Sequence, residues 1–335
     1  MTIERLLIIR LSSIGDIVLT TPLIRQARKA FPHAQIDFLT RSAFAELLAH
    51  NPYLSHVHTL EDFRPTHYYD ACIDLQNSFR SHWLRRSLAR HVAAYRKENW
   101  KKLLLIWFKW NLLANSLPVP LRYLSACRKF GIEDDGKGCE LFLSESAKRF
   151  AAEALEPKTT LAVCYGAAHF TKRFPIDKLA LVLNALLKML DIQVILLGGK
   201  DDAALGANLL TLLSPRQAVK DFSGKCSLLE TAALLARADA VLTNDTGLMH
   251  IGAAFQKPIV AVFGSSVKEF GFMPFRTPYQ ILEREGLPCR PCSHIGRKSC
   301  PAKHFKCMQE IEPLAVVKAV LSALDRRTTM QAHET

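Results

Sequence analysis

The chain has 335 residues, of which 49% are hydrophobic and 22% charged, and its formal net charge is +13. This composition excludes a disordered chain, and no apolar run reaches the roughly 18 residues of a spanning helix. The positive charge favours anionic partners, such as nucleic acid, a membrane surface or a phosphorylated substrate. Arg10 breaks the first apolar run, so we expect a buried strand there, a cytoplasmic protein, and reduced thiols at most of its nine cysteines.

The first half of the chain alternates strand-like and helix-like patterns. A buried strand is predicted at 6–9, and the turn at 12–16 leads into a predicted amphipathic helix at 23–30. Further strands are predicted at 36–40, 57–60 and 69–75. Strands separated by helical segments favour a parallel sheet with helices on both faces.

The second half repeats this alternation after a linker-like stretch at 155–159. Strands are predicted at 161–165, 193–197, 240–243 and 258–263, and helices at 176–190, 228–237 and 248–255. We therefore expect an α/β fold of two Rossmann-like, doubly wound domains that face a central cleft. The predicted boundaries are 1–155 and 156–313, followed at 314–335 by a closing helix and a polar tail that is loose from residue 326. The turns after the strands would line the cleft, because ligands bind at the carboxyl ends of parallel strands.

The segment Thr243 to His250 carries the most informative turn. Thr246 is predicted to cap the following helix through its hydroxyl, and the free amides there would bind an anion. Gly247 allows close approach of a ligand, and His250 shares a helix face with Thr246. A capped helix with a buried histidine is the alternative interpretation.

A second turn, at 165–175, carries the adjacent cations Lys172 and Arg173. They could neutralise a pyrophosphate leaving group in place of a metal ion, because Asp201 and Asp202 are adjacent and do not form a spaced pair of acids. A solvated basic turn is the alternative.

Asp16 lies at a predicted helix entrance, where a carboxylate is electrostatically favoured. One interpretation is a helix-start acid with a structural role. The other is a general base that faces the cleft. The helix dipole would weaken such a base, but a weak base suffices where the leaving group departs early, as in an oxocarbenium-like transition state.

Four segments together resemble the ADP-heptose:lipopolysaccharide heptosyltransferase family, glycosyltransferase family 9. They are RLSSIGDIVLTTP at 10–22, DLQNSFRS at 74–81, KRFP at 172–175 and TNDTGLMHIGAAFQKPIVAVFG at 243–264. The resemblance implies a GT-B fold whose N-terminal domain binds the acceptor and whose C-terminal domain binds the nucleotide sugar. It also implies inverting, metal-independent transfer of heptose from ADP-heptose to the lipid A–Kdo core of lipopolysaccharide. The enzyme would be cytoplasmic and peripheral on the inner membrane.

The same resemblance assigns roles to individual residues. Asp16 matches the catalytic base, and Lys172 matches a lysine that contacts phosphate. The implied donor-binding residues are Lys172, Asp201, Asp202, Asp245, Thr246, Gly247 and His250, and the register leaves the ribose acid open between the two adjacent aspartates. The implied acceptor-binding residues are Ser13, Gly15, Asn77 and Arg80. No cofactor, metal or nucleic acid is implied.

Ala167 and Ala168 depart from the family pattern, because some members have hydroxyl residues there. A GT-B glycosyltransferase with a different sugar nucleotide is therefore one alternative. The other is a non-catalytic protein that binds a membrane or another polyanion, which the net charge supports by itself. A dehydrogenase is disfavoured because the chain lacks a G-x-G-x-x-G motif.

Two further segments suggest properties outside the cleft. A basic stretch begins at Arg80 and continues into residues 100–110. There, tryptophans and lysines surround an apolar face, which predicts a helix that lies at a membrane interface. The alternative is a helix whose leucines and tryptophans lie in the protein core. Near the other end, one loop holds four cysteines, with His294 and His304 as possible additional ligands. Structural zinc and unligated thiols both stay open for Cys289, Cys292, Cys300 and Cys307.

Overall fold

The computed structural model describes residues 2–65 and 67–331. It confirms an α/β architecture built on two sheets. The first sheet contains β1 (Arg5–Ile9), β2 (Gln35–Thr40), β3 (His56–Thr59), β4 (Tyr69–Asp74) and β5 (Ala89–Ala94). The second contains β6 (Thr160–Cys164), β7 (Gln193–Leu196), β8 (Val219–Asp221), β9 (Ala240–Asn244), β10 (Ile259–Phe263) and β11 (Tyr279–Glu283).

Helices connect these strands. Those associated with the first half are α1 (Ile14–Val18), α2 (Thr21–Ala30), α3 (Ser42–Ala45), α4 (Phe79–Leu88), α5 (Asn99–Phe108), α6 (Val119–Ala126) and α7 (Glu145–Ala154). Those that follow are α8 (Ile176–Met189), α9 (Ala203–Thr211), α10 (Leu228–Arg237), α11 (Gly247–Ala254), α12 (Lys306–Gln309) and α13 (Pro313–Gln331).

The order of the strands shows at which point of each sheet a ligand site can form. The first sheet runs β3-β2-β1-β4-β5 and the second β11-β10-β9-β6-β7-β8, and the paired strands are parallel. The direction of winding therefore reverses between β1 and β4 and again between β6 and β9. Such switch points open a crevice beyond the carboxyl ends of the strands. The turns after β1, β4, β6 and β9 carry most of the predicted site residues.

Apolar runs explain why the central strands form where they do. The four residues Leu6 to Ile9 of β1 are completely buried, as is the apolar run Val260 to Val262 of β10 to within 1%. Strands that are covered on both faces are apolar along their whole length, and the sequence shows this clearly. The predicted central strands are accordingly confirmed to within one or two residues.

Three strands were missed, and so were six helices, which are α3, α4, α6, α7, α9 and α12. β5, β8 and β11 lie at sheet edges, and Arg90 on β5 is exposed, so their patterns are mixed and short. α13 continues to Gln331, beyond residue 326 where the polar tail was expected to begin, and the looseness of the tail stays a prediction. Residues 332–335 lie outside the described part of the chain.

Helices of the two halves of the chain pack against each other, in addition to the cleft between the sheets. α1 contacts α11, and α7, which precedes the predicted boundary at residue 155, packs against α10. α13 packs against α8 and the second sheet. One core cluster joins Ile17, Leu234 and Phe275. The domain boundaries stay a prediction.

None of the helices within residues 2–65 and 67–331 combines the length and the apolar content that a bilayer crossing requires.

Candidate active site

Asp16 lies on α1, directly beyond the carboxyl end of β1. Its Oδ1 is 2.6 Å from Nη2 of Arg10, and its Oδ2 accepts hydrogen bonds from the amide and the hydroxyl of Ser13, at 3.3 and 3.1 Å. Burial disfavours the charged carboxylate, but the charge of Arg10 and these hydrogen bonds outweigh it, so the pKa of Asp16 lies below its usual value. Asp16 is therefore ionised at neutral pH and can accept a proton.

Lys172 and Asp245 form an ion pair on the opposite wall of the cleft. Nζ of Lys172 is 2.7 Å from Oδ2 of Asp245, and the hydroxyl of Ser266 donates a hydrogen bond to the same oxygen at 2.5 Å. Both side chains of the ion pair are mostly buried, at 16% and 9% exposure. The lysine follows β6 and the aspartate follows β9, so the switch point of the second sheet brings them together.

Thr246 precedes α11, but the predicted hydroxyl cap is wrong. The backbone of Thr246 is extended, with φ of −140°, and its side chain makes no capping hydrogen bond. Within the described residues, Oγ1 of Thr246 and Nδ1 of His250 are buried and have no hydrogen-bond partner. The first amides of α11 and these two polar atoms are therefore free to meet an anionic or polar ligand.

Glycines allow the two walls to touch. A Cβ atom on Gly15 would lie 2.6 Å from Cδ2 of His250, and one on Gly247 would lie 2.7 Å from Cβ of Ile14. Only glycine permits these approaches, so α1 and α11 meet at the base of the cleft.

His250 lies between the charged groups of both walls. Burial lowers its pKa to about 4, and the nearby carboxylates of Asp245 and Asp16 oppose this shift while the charge of Lys172 adds to it. The ring is therefore neutral at pH 7. Because Gly15 of α1 approaches this ring, His250 lies where the wall that carries Asp16 meets the wall that carries Asp245.

Of the two candidate ribose acids, Asp202 lies against the loop after β6. Its Oδ2 accepts a hydrogen bond from the amide of Gly199 at 3.0 Å, and a Cβ atom on Gly166 would lie 2.2 Å from the same oxygen. Nη2 of Arg173 is 3.8 Å from its Oδ1. Asp201 is exposed. The position of Asp202 makes it the better candidate, and the ribose role itself stays a prediction.

The predicted acceptor residues Asn77 and Arg80 differ in their surroundings. Asn77, at φ of 42°, donates through Nδ2 to the carbonyl of Tyr95 at 2.9 Å, and its amide donates to Oδ1 of Asp74 at 2.8 Å. It therefore holds the loop after β4 in shape. Arg80 is exposed at the start of α4. Their roles in acceptor binding stay predictions.

Sequence reasoning missed four residues, which are Arg10 and Tyr123 in contact with Asp16, and the buried cations Lys102 and Arg122. Arg10 is 5% exposed and also donates hydrogen bonds to the carbonyls of Ser12 and Leu75, so it holds the carboxylate in a fixed position. Its sequence signal is a charged residue that directly ends a buried strand. The others are the hydroxyl of Tyr123, 3.4 Å from Oδ1 of Asp16, and the side chains of Lys102 and Arg122, which come from helices far along the chain.

The four-cysteine loop contains free thiols that line one cavity of about 240 Å³ together with His304. Sγ of Cys289 is 3.8 Å from Nε2 of His304. In the part of the chain that the structure describes, the group of potential metal ligands whose atoms all lie within 4.8 Å of one another is Asp37, His56 and His58, and the cysteines do not form such a group. Structural zinc and unligated thiols both stay open for this loop.

Two doubly wound parallel sheets meet at a cleft, with the ionised Asp16 on one wall and the buried Lys172–Asp245 pair on the other, and this is the architecture of a GT-B fold. The family described as glycosyltransferase family 9 (heptosyltransferase) matches residues 64–303. The chain belongs to this family.

Known proteins of similar sequence and structure agree with this assignment. Lipopolysaccharide heptosyltransferase 2 of Escherichia coli is 25% identical over 313 residues, which cover 79% of this chain and 84% of that protein. The structure of E. coli ADP-heptose lps heptosyltransferase II has a TM-score of 0.75 at 21% identity and covers 97% of this chain and 99% of its own. A glycosyl transferase family 9 structure from Veillonella parvula has a TM-score of 0.79 at 19% identity, with coverages of 96% and 98%.

Proposed function

We propose that the protein transfers heptose from ADP-heptose to the inner core of lipopolysaccharide, with a lipid A–Kdo or heptosyl-Kdo acceptor. The observation that carries this proposal is the ionised Asp16 opposite the Lys172–Asp245 pair and the free amides of α11. The names of the similar E. coli proteins support the choice of donor and acceptor. Residues 1–155 would bind the acceptor and residues 156–313 the donor.

Asp16 acts as the base in this proposal. The acceptor hydroxyl attacks the anomeric carbon of heptose, its proton passes to the carboxylate of Asp16, and the bond from that carbon to the phosphate oxygen breaks to release ADP. Asp245 is held by Lys172 and Ser266, so it is poorly placed to act as a nucleophile in a double displacement. One displacement from the face opposite ADP inverts the anomeric configuration.

Lys172 and the start of α11 neutralise the leaving group. The pyrophosphate gains charge as the glycosidic bond breaks, and a buried ammonium and helix amides stabilise that charge without having to reorganise. We therefore expect transfer to be independent of added metal. Arg173, which faces Asp202, would support the donor from the other side of the same loop.

Transfer from ADP-heptose to a heptose-deficient lipopolysaccharide acceptor tests this proposal. We expect equal rates with EDTA and with added Mg²⁺, and a product whose anomeric configuration, determined by NMR, is opposite to that of the donor. A rate that collapses in EDTA would overturn metal independence. Retention of configuration would overturn the single displacement.

A different sugar nucleotide is the second candidate, and Ala167 and Ala168 motivate it. Ala167 is buried and its carbonyl accepts a hydrogen bond from Nε of Arg173 at 2.7 Å, whereas Ala168 is exposed. Neither residue offers a side-chain hydroxyl to the donor. A panel of ADP-, UDP- and GDP-sugars with the same acceptor would distinguish the donors, because the preferred one shows the highest kcat/KM.

We also propose that the enzyme works at the cytoplasmic surface of the inner membrane. The chain contains four tryptophans, and all of them, Trp83, Trp100, Trp107 and Trp110, are between 58% and 72% exposed. They lie on and beside α4 and α5, where Phe79 and Phe108 are also exposed. Exposed aromatic rings among lysines and arginines are typical of a surface that enters the headgroup region of an anionic bilayer.

Binding to vesicles should therefore be visible in tryptophan fluorescence. We expect a blue shift on addition of vesicles that contain anionic lipid, and a much smaller one with neutral lipid or in high salt. Trp107→Ser combined with Trp110→Ser should weaken partitioning by at least about tenfold, because apolar burial contributes about 25 cal/mol per Å². Leu314→Ser, which changes an exposed residue of α13, is the matched control. An emission spectrum unaffected by anionic vesicles would contradict the proposal.

A further inference from the structure

Two histidines and one buried aspartate share a face of the first sheet. β2 and β3 pair in parallel, and their register places Asp37 directly opposite His56. Side chains two residues apart in a strand point to the same face of the sheet, so His58 lies on this face as well. The strand pairing and the sequence His-Val-His at 56–58 therefore bring three potential metal ligands together.

The three side chains are close enough to hold one ion. Nδ1 of His56 is 3.1 Å from Oδ1 of Asp37, and Nε2 of His58 is 3.2 Å from Oδ2 of the same carboxylate. One oxygen of the aspartate and one ring nitrogen of each histidine all lie within 4.8 Å of one another. Ligands that hold zinc at its usual bond lengths are about 3.0 to 3.5 Å apart. Small side-chain rotations would therefore accommodate an ion between these atoms.

Asp37 contributes a negative charge that is fixed in position. The residue is completely buried, and its Oδ2 accepts hydrogen bonds from the side-chain amide of Gln35 and the hydroxyl of Tyr69, both at 2.8 Å. Burial raises the pKa of Asp37, but the hydrogen bonds from Tyr69, Gln35 and the histidine rings outweigh it, so the pKa lies below its usual value. The carboxylate is therefore ionised at neutral pH. Hydrogen bonds of this kind orient the carboxylates that ligate metal ions.

The described residues give this buried carboxylate no permanent cation. Its ion pairs are those with His56 and His58, whose rings carry a charge only when they are protonated. No lysine or arginine nitrogen of the described residues lies within 4.0 Å of its oxygens. Asp74, which is equally buried, pairs instead with Arg85 at 2.9 Å. Since a buried carboxylate without a cation is costly, a divalent ion at Asp37 would supply the missing charge.

The cluster is open to solvent on the side of the histidines. The side chain of His56 is 61% exposed and that of His58 is 34% exposed, so an ion can enter and water can complete its coordination. β3 is an edge strand of the sheet. The ligands lie within β2 and β3, whereas Asp16 lies beyond the carboxyl end of β1. An ion here would therefore act on the edge of the sheet and not on the reacting groups in the cleft.

We propose that Asp37, His56 and His58 bind a divalent transition-metal ion such as Zn²⁺, which fastens the edge strand β3 to β2. Two imidazoles and one carboxylate suit zinc, nickel, copper or iron, whereas Mg²⁺ and Ca²⁺ prefer oxygen ligands. On binding, the ring nitrogens that face Asp37 carry no proton and donate their lone pairs to the ion. The inference concerns the stability of the sheet, so it does not depend on the proposed function and leaves heptose transfer independent of metal.

Metal binding to the metal-free full-length protein tests the site directly. Loss of an outer partner of a ligand costs about 10- to 100-fold in affinity. We therefore expect His56→Gln and His58→Gln each to weaken Zn²⁺ binding by at least about 100-fold in calorimetry, because each removes a ligand itself. His50→Gln, an exposed histidine outside the cluster, is the matched control and should bind as wild type does. Excess Mg²⁺ or Ca²⁺ should not compete.

Co²⁺ separates this site from the four-cysteine loop. Thiolate ligands give bound Co²⁺ an intense charge-transfer band in the near ultraviolet, which imidazole and carboxylate ligands do not give. We expect the two histidine variants to lose the visible Co²⁺ bands of the site and to keep any thiolate band. Alkylation of the cysteines should leave the visible bands of this site in place.

The stability of the edge strand gives a second readout. We expect Zn²⁺ to raise the melting temperature of wild type and to slow hydrogen exchange of the β3 amides, because a ligand that binds the folded state stabilises it. EDTA should reverse both effects and leave the transfer rate unchanged. His56→Gln should show neither effect. The exposed histidines keep the test open if Asp37→Asn, at the buried position, fails to fold.

Three outcomes would overturn the inference. Zn²⁺ affinity that is the same in wild type and in both histidine variants would remove the site. Loss of all Co²⁺ binding on alkylation of the thiols would assign the ion to the cysteine loop. Zn²⁺ bound through the histidines, with β3 exchanging as fast as in the metal-free protein, would remove the structural role. Absence of heptose transfer by wild type would count against the proposed function alone, because none of these measurements depends on transfer.

Discussion

Replacing Asp16 by asparagine is expected to reduce kcat for heptose transfer by about 10²- to 10⁴-fold, the usual contribution of a general base. Asparagine has a similar shape and keeps an oxygen for the hydrogen bonds from Ser13, but it cannot take the proton of the acceptor hydroxyl. Affinity for ADP should be unchanged, because the donor wall is formed by other residues. The measurement is single-turnover transfer together with ADP titration, and Asp62→Asn, on an exposed loop, is the matched control.

We expect two further results because Arg10 forms an ion pair with Asp16. Asp16→Asn leaves Arg10 buried without its carboxylate, so the variant should also be less stable, in the direction seen for broken buried ion pairs. Arg10→Gln should retain part of the activity, because the carboxylate remains. Transfer that survives in Asp16→Asn at the wild-type rate would remove Asp16 from the role of base and leave it as a structural acid of α1.

The lowered pKa of Asp16 fixes the sign of its pH effect. Its pKa in the folded protein lies below the ordinary value of 3.8, so its contribution to stability is present above that value and is lost as the pH falls through the lower folded pKa. At pH 5 and above Asp16 is ionised, and the transfer rate should not fall on the acid side because of it. A decline between pH 8 and 5 in wild type that is absent from the residual activity of Asp16→Asn would contradict the low pKa.

The central strands could be predicted from the sequence because buried parallel strands are continuous apolar runs, as at Leu6 to Ile9. Since the carboxyl ends of such strands define a cleft, the order of residues along the chain was enough to place Asp16 and Lys172 on its walls. The edge strands β5, β8 and β11 were missed because part of each faces solvent and their patterns are mixed, although the edge strand β3 was predicted.

Contacts between distant segments of the chain could not be predicted from the sequence either. Lys101 and Lys102 are neighbours with the same chemistry, but Lys102 is buried against Phe272 from the second half of the chain, whereas Lys101 pairs with Glu98 on the same helix turn. The approach of Gly15 to His250 likewise depends on how two separate sheets meet. The predicted cap at Thr246 is wrong because the hydroxyl makes no hydrogen bond to the helix amides, and the pattern of residues does not determine which partner a hydroxyl finds.

Replacing Lys172 by methionine is expected to reduce kcat/KM for ADP-heptose by about 10²- to 10³-fold, the cost of removing one donor from a developing negative charge. This change also leaves Asp245, at 8% exposure, without its cation. Breaking a buried pair from one side costs about 3–5 kcal/mol in the free energy of unfolding, so part of any loss could come from instability. Activity of the single variant therefore does not by itself assign a role to the lysine.

The double variant Lys172→Met with Asp245→Asn separates the two effects. It removes both charges, so most of the lost stability should return, which thermal unfolding measures. If Lys172 neutralises the leaving group, transfer stays low in the double variant even though the fold has recovered. If the lysine only balances Asp245, transfer returns together with the melting temperature. The charge for the departing ADP would then have to come from the amides of α11 and from Arg173 across the same loop.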